Sequence, residues 1–231
     1  MNVDQGLPIA VGLGWVQAYL LRADGGWVLV DAGSPGQGPA IERRLARRGI
    51  PVHDLRLIIV THAHADHTGG IKHLVEASGA DVLAHSSEVD YLASGESAPV
   101  SGLTPVGRLA AALMRDTATG TRSAPVRPTV IVESEATLEP FGIRGRVLPT
   151  PGHTAGSISV LLESGAACVG DLCVNWPPVV GRPGLPPFGD DADLVRRSWR
   201  AVIAAGARTI CPAHGAPFAV SALAKALGPA A

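Results

Sequence analysis

One stretch, LIIVTHAHADHTGG over residues 57–70, constrains the fold of this chain more than any other. It begins with four apolar residues, a run typical of a strand that is covered on both faces. It then places three histidines and an aspartate within six positions. Polar groups at the carboxyl end of a buried strand lie where α/β folds place their chemistry. Because these imidazoles and this carboxylate would be costly to bury unpaired, the stretch predicts a site for a divalent cation.

Length and composition favour one globular domain. The chain has 231 residues, of which 46% are hydrophobic and 17% charged, and we see no repeat and no interdomain linker. We therefore predict a single domain over residues 1–231, with a helical and loop-rich insert at about 86–128. The formal net charge is -1, so no field of one sign favours nucleic acid or an acidic membrane as a partner.

The cysteines and the N-terminus bear on location. The three cysteines, Cys168, Cys173 and Cys211, are odd in number and lack paired spacing, which favours free thiols over a disulfide framework. We expect a reducing, cytoplasmic location. We find neither a signal peptide at the N-terminus nor an apolar run of about 18 residues that would span a membrane.

The chain alternates between predicted strands and helices. Residues 15–23 and 27–33 form a hairpin around Asp24-Gly25-Gly26, because Asp-Gly between apolar runs is a turn signal. Helices are predicted at 38–49, 71–79 and 191–206, the second ending at Gly79. The remaining strands are predicted at 57–60, 81–85, 129–132, 143–150, 157–163, 166–172 and 208–215.

Two irregular regions are expected near the site. Within the insert, Val106, Leu109 and Leu113 recur at helical spacing, which favours a helix packed over the body of the domain. A proline-rich loop covers residues 176–188. We expect the insert and this loop to face each other over the site and to leave a cleft for a small acyl substrate.

Three further strand ends each offer one potential metal ligand. LPTPGHTAGS presents His153, CVGDL presents Asp171 and ICPAHG presents His214. A glycine beside each of them allows close approach of the backbone. In the opening stretch, His62 and His64 are two positions apart, so both side chains point the same way from an extended segment.

Together these residues resemble the metallo-β-lactamase superfamily, whose ligand pattern is H-x-H-x-D-H followed by H, D and H. LLRADGGWVLVDAGS looks like the N-terminal hairpin of that family, and GHTAGS resembles its second motif. The resemblance covers nearly the whole chain. It implies an α+β fold, the four-layer αββα sandwich, with metals at one edge of the β layers.

The resemblance also implies a division of the ligands. His62, His64 and His153 would hold a first metal, Asp66, His67 and His214 a second, and Asp171 would bridge the two. We expect two zinc ions per chain, with iron or manganese as alternatives, and assign Asp66 and His67 to catalysis. Three residues are candidates for supporting these ligands from behind: Asp31, Thr154 and His85.

The resemblance favours a hydrolase of a small ester, thioester or lactone that acts through a metal-bound hydroxide. A net positive centre stabilises a developing oxyanion. Asp171 stands where the true β-lactamases lack a bridging aspartate. The tail after His214 is too short for the glutathione-binding helical domain of glyoxalase II. Alternatives are a mononuclear iron dioxygenase acting on a glutathione persulfide, and a phosphodiesterase of the same fold. The expected partner is a small molecule, and the oligomeric state is open, with a homodimer one option.

Overall fold

The computed structural model describes residues 6–114, 122–175 and 183–228, which contain two six-stranded sheets. In the first sheet the spatial order of the strands follows the chain. Its strands are β1 (Ile9–Gly12), β2 (Gln17–Ala23), β3 (Gly26–Val30), β4 (Leu55–Ile59), β5 (Asp81–His85) and β6 (Val130–Val132). Pairing is antiparallel from β1 to β3 and parallel from β3 to β6. The predicted hairpin is the β2–β3 pair, with Gly25 at a positive φ in its turn.

The second sheet is mostly antiparallel. Its strands, again in chain order in space, are β7 (Ala136–Thr137), β8 (Gly145–Pro149), β9 (Ile158–Leu162), β10 (Ala166–Gly170), β11 (Thr209–Pro212) and β12 (Phe218–Ala219). Only the β10–β11 pair is parallel among these. The carboxyl ends of β10 and β11 therefore lie side by side.

Seven α-helices lie within the described residues. They are α1 (Gly38–Ala46), α2 (Ala65–Thr68), α3 (Ile71–Ser78), α4 (Val89–Ser94), α5 (Pro105–Met114), α6 (Ala192–Ala204) and α7 (Val220–Leu227). The three predicted helices at 38–49, 71–79 and 191–206 correspond to α1, α3 and α6, and Gly79 ends α3 in the left-handed conformation. We did not predict α7, nor the short strands β1, β7 and β12. No helix of the described residues is long and apolar enough to cross a bilayer.

Side chains along β4 point alternately to the two faces of the first sheet, which explains the layers of the fold. Leu57 and Ile59 pack between the two sheets, whereas Ile58 packs on the outer face against Ile41 of α1 and Leu74 of α3. Residues 57–59 are buried on both faces of the sheet and are all apolar, as such positions require. The second sheet is covered in the same way by α6 and α7. The fold is the predicted αββα sandwich.

The two sheets touch directly behind the strand ends. Ile158 N donates to Thr61 O at 2.9 Å, a hydrogen bond between the sheets. Gly170 lies against Thr61, and a Cβ at Gly170 would stand 2.5 Å from the Thr61 hydroxyl oxygen. Glycine is required there by this contact and is favoured by its φ of 53°. This close approach brings the carboxyl ends of β4 and β10 to one edge of the sandwich.

The insert forms its helix, but the expected packing is wrong for two of the three positions that suggested it. Val106 and Leu109 of α5 are exposed. The segment before α5 instead contacts the proline-rich loop, since Leu103 N donates to Pro187 O at 2.9 Å and Gly189 N donates to Ser101 O at 2.8 Å. The insert and the loop therefore meet, as predicted. Residues 115–121 and 176–182 of these regions lie outside the described part of the chain.

Candidate metal centre

All seven predicted ligands meet at the edge where the sheets touch. The turn after β4 and helix α2 carry four of them, and the β8–β9 turn carries His153. Asp171 and His214 follow the parallel strands β10 and β11. Ligands more than 150 positions apart in the chain therefore become neighbours through strand order alone.

A first trio consists of His62, His64 and His153. His62 Nε2 lies 3.0 Å from His64 Nδ1, and His153 Nε2 lies 3.1 Å and 3.0 Å from these two atoms. All three side chains are buried. Nitrogens around a tetrahedral zinc ion at about 2.0–2.1 Å would be roughly 3.3 Å apart, so this triangle is close to that of a ligand set.

A second trio consists of Asp66, His67 and His214. Its candidate ligand atoms lie within 4.8 Å of one another. Asp66 Oδ2 is 3.3 Å from His214 Nε2 and 3.7 Å from His67 Nε2. Helix α2 places Asp66 and His67 on one side, and the end of β11 brings His214 from the other.

Asp171 lies between the two trios. Its Oδ2 is 3.6 Å from His153 Nε2 of the first trio. Its Oδ1 is 3.3 Å from both His67 Nε2 and His214 Nε2 of the second. One carboxylate oxygen thus faces each trio, which is the arrangement that a bridging ligand needs. The ligand roles themselves stay predictions until ions are counted.

Buried polar atoms without hydrogen bonds test whether a cation fits here. Within the described residues, His67 Nε2 and Asp171 Oδ1 are two such atoms. These two atoms lie 3.3 Å apart, close enough to share one cation. An unsatisfied buried group costs about 1–3 kcal/mol, a cost that a shared cation would remove. The donor set of imidazole nitrogen and carboxylate oxygen suits a divalent ion such as zinc.

The second ring nitrogen of four of these histidines has its own partner. His153 Nδ1 donates to Phe188 O at 3.0 Å and His214 Nδ1 to Trp15 O at 2.9 Å. His62 Nδ1 lies 3.1 Å from the Thr61 hydroxyl, and His67 Nδ1 lies 2.8 Å from Asp31 Oδ2. Such partners select the tautomer and leave Nε2 free to bind a metal.

Asp31, a predicted supporting residue, contacts a ligand directly. Besides His67, its carboxylate accepts hydrogen bonds from Thr61 N at 2.8 Å and from the Thr61 hydroxyl at 2.8 Å and 3.0 Å. Asp31 is also the single non-glycine residue with positive φ in the described residues, at 62°. Its backbone strain is held by this buried network at the end of β3.

The other two predicted supporting residues form their side-chain hydrogen bonds with residues that are not predicted ligands. The Thr154 hydroxyl donates to Glu88 Oε1 at 2.7 Å rather than to a ligand. His85 Nδ1 accepts from Ser87 N at 3.2 Å and caps the turn after β5. His85 is not among the described residues that line the cavity or form the ligand clusters.

The pKa values of the histidines shift in opposite directions in the two trios. Burial lowers the pKa of His62 well below its ordinary value, lowers that of His64, and lowers that of His153 to about 4. Burial also opposes charge on His67 and His214, but Asp171 and neighbouring carboxylates outweigh it. They raise the pKa of His67 well above its ordinary value and that of His214 to about 10. These shifts favour neutral imidazoles in the first trio and protonated imidazoles in the second.

A cavity of about 310 Å³ opens over this centre. His64, Asp66, His153, Asp171 and His214 lie in its wall, so both trios are reached from one side. The rest of the described lining is largely apolar, including Trp15, Pro35, Val100, Val174, Pro187 and Phe188. Trp15 stacks on the His214 ring at 4.7 Å between centroids. A ligand at the metals would therefore touch aromatic and aliphatic surface.

Residues 11–214 match the family model described as the metallo-beta-lactamase superfamily, which accounts for most of the chain. The chain belongs to the metallo-β-lactamase superfamily. The predicted family is confirmed, and membership supports the coarser prediction of a metal-dependent hydrolase. Family membership does not specify which metal binds or how many ions are held.

Similar proteins within the superfamily are named for different activities. A probable metallo-hydrolase of Methanocaldococcus jannaschii is 31% identical over 160 residues, 69% of this chain and 67% of that protein. A hydroxyacylglutathione hydrolase of Shewanella halifaxensis is 27% identical over 154 residues, 67% of this chain and 45% of the relative. A ribonuclease Z of Streptomyces avermitilis is 38% identical over 78 residues, 34% of this chain and 24% of the relative. The chain thus spans less than half the length of the latter two.

A solved structure supports the fold. The B3 metallo-β-lactamase BLEG-1 superposes with a TM-score of 0.69 at 20% identity, covering 93% of this chain and 95% of that one. At this identity the likeness concerns the fold alone. It confirms the two-sheet sandwich expected from the sequence.

Proposed function

We propose that this protein is a two-metal hydrolase of small esters, thioesters or lactones. The observation that carries the proposal is the position of Asp171, with one carboxylate oxygen toward each histidine-containing trio. His62, His64 and His153 would hold one ion, and Asp66, His67 and His214 the other. Zinc is the proposed metal, because imidazole nitrogens dominate the donor set.

Bound ions would supply Lewis acidity and a water that ionises near neutral pH. The chain's own residues orient the ligand histidines and shield the reacting groups from water. Asp31, Phe188 O and Trp15 O hold the Nδ1 atoms of three ligand histidines, so that Nε2 faces the centre. The apolar wall excludes water from the reacting carbonyl, which strengthens electrostatic interactions inside the cavity.

The cavity supports the proposed substrate size. A volume of about 310 Å³ lies at the small end of the range for ligand pockets. Its apolar walls suit an acyl group, while the carbonyl oxygen is left to the metals. Similarity to a hydroxyacylglutathione hydrolase adds support for a thioester. We propose a small-molecule substrate and no nucleic-acid partner, consistent with the net charge of -1.

Metal content and a substrate panel test the proposal. In protein purified without added metal, elemental analysis is expected to find two ions per chain, mainly zinc, in the active fraction. Esters, thioesters and lactones should be hydrolysed faster than phosphodiesters and structured RNA. One iron per active chain with oxygen consumption on a glutathione persulfide would instead favour the dioxygenase. Cleavage of RNA or phosphodiesters alone would assign a phosphodiesterase.

Proton release on metal binding should differ between the trios. Burial lowers the pKa of all three histidines of the first trio, so its ion should displace few imidazolium protons at pH 7. Because the pKa values of His67 and His214 are raised, the ion of the second trio should displace more protons than the ion of the first trio. Since deprotonation aids binding, the affinity for the second ion should rise up to about 100-fold per pH unit between pH 6 and 8.

Calorimetric titration of the metal-free protein in buffers of different ionisation enthalpy measures this release for each ion. Zinc and a chelator competitor resolve the two affinities at each pH. Equal proton release for both ions, or a second affinity that does not change with pH, would contradict the charge difference between the trios.

A further inference from the structure

A buried carboxylate outside the ligand set, Glu88, joins the two segments of the first trio. Its side chain is 1% exposed. Oε2 accepts a hydrogen bond from Ala63 N at 2.8 Å. Oε1 accepts from the Thr154 hydroxyl at 2.7 Å and from Gly156 N at 3.0 Å. Both oxygens are used, and each binds a different loop.

The positions of these donors relate Glu88 to one trio in particular. Ala63 is the residue between His62 and His64, and Thr154 directly follows His153. The carboxylate therefore spans from the segment that carries two ligands to the segment that carries the third. Asp31 is its counterpart on the other trio, because it contacts His67.

The fit around Glu88 is tight. A Cβ at Gly156 would stand 2.5 Å from Glu88 Oε1 and 2.7 Å from its Cγ. The φ of Gly156 is not positive, so its backbone conformation alone does not require glycine. The contact with the carboxylate is what excludes a side chain at this position of the GHTAGS motif.

We propose that Glu88 is a positioning residue that sets the separation of His153 from His62 and His64, and thereby the affinity of the first-trio ion. The inference rests on the proposed two-metal centre. Glu88 does not touch the cavity, and its effect passes through backbone and hydroxyl groups beside the ligands. Groups that hydrogen-bond metal ligands directly change metal affinity 10–100-fold when they are lost, and we expect an effect of that order for Glu88.

Glutamine tests this because it keeps the size of Glu88 but has a single acceptor oxygen. If the oxygen faces Thr154 and Gly156, the amide NH₂ faces Ala63 N, and two donors oppose each other. The reverse orientation opposes the other two donors. Either way one loop is released, and one buried donor loses its partner.

The experiment compares Glu88→Gln with wild type by stepwise zinc titration against a chelator, using the full chain. Glu88→Gln should bind the first-trio ion about 10–100-fold more weakly. In histidine-ring NMR spectra of the zinc-loaded protein, the signals of His62, His64 and His153 should shift or broaden, while those of His67 and His214 change little. The matched control is Glu42→Gln. Glu42 lies on α1, away from the centre, and its carboxylate is 2.7 Å from the ring of His73. The Glu42→Gln variant should leave both affinities unchanged.

Wild-type affinities in Glu88→Gln, equal weakening of both ions, or the same loss in Glu42→Gln would overturn the inference. Gly156→Ala gives a second test that keeps the carboxylate, and it should also weaken the first-trio ion. Both changes act through one contact, so Glu88→Ala/Gly156→Ala should bind no more weakly than Glu88→Ala. If the affinity losses of Glu88→Ala and Gly156→Ala added up in the double variant, the two residues would not act through one contact. This comparison decides the question even if Glu88→Gln fails to fold. The titration of the wild-type protein decides whether two ions bind. Failure of the two-metal proposal can therefore be told apart from failure of the inference about Glu88.

Discussion

Replacing Asp171 with asparagine is expected to abolish retention of two ions and to lower turnover about 100-fold or more. In wild type, Oδ2 faces His153 while Oδ1 faces His67 and His214. An amide keeps the shape of the side chain, but its nitrogen binds metals poorly and its negative charge is gone. Excess zinc should restore part of the activity, because the remaining ligands are unchanged.

The measurements are metal content and turnover of Asp171→Asn across a zinc titration, together with thermal unfolding. Retention of metal and turnover should fall much more than stability. The control Asp193→Asn makes the same change at an aspartate that contacts Arg196 on the surface of α6, and it should behave like wild type. An Asp171→Asn protein with two ions and full turnover without added zinc would show that Asp171 does not bridge.

Replacing Asp31 with asparagine is expected to weaken the second-trio ion about 10–100-fold and to spare the first. The amide oxygen would have to accept from Thr61 N, as Oδ1 does now, which leaves NH₂ against His67 Nδ1. His67 would then carry its proton on Nε2, the atom that faces the centre. Asparagine tolerates the positive φ of this position, so the effect should not arise from backbone strain.

Stepwise zinc affinities and histidine-ring NMR test this, since the ring signals report the tautomer of His67. A matched control is Asp81→Asn, because Asp81 also accepts from a threonine hydroxyl, that of Thr129 at 2.9 Å, but at the start of β5 away from the centre. Unchanged second-ion affinity in Asp31→Asn would show that this carboxylate does not select the tautomer. Asp31→Asn and Glu88→Gln should affect opposite trios.

Helices α1, α3 and α6 followed from local patterns, whereas the faces of α5 did not. Val106 and Leu109 have helical spacing but remain exposed, because spacing predicts a helix and not which surface covers it. The short strands β1, β7 and β12 form at sheet edges, where pairing with a neighbour outweighs weak local propensity.

Glu88 was missed for a related reason. It follows β5 in the segment HSSEVD, and an acidic residue just after a strand end was the available signal. The position at the end of that strand instead singled out His85, which caps its own turn. Glu88 accepts hydrogen bonds from residues 25 to 68 positions away, and no local pattern encodes such partners.

The sequence by itself determined which residue types stand at the strand ends, because hydrophobic runs and the polar residues that follow them are local properties. It therefore predicted the set of seven candidate ligands, and the resemblance that these residues carry implied the αββα layers and the division of the ligands between two metals. Only the tertiary structure decided the distances within each trio, the trio toward which each oxygen of Asp171 points, and the ring nitrogen that each histidine turns to the centre. These depend on distances between strand ends in different sheets, such as the contact of Gly170 with Thr61. Such distances are set by how the two sheets pack, which residue order alone does not specify.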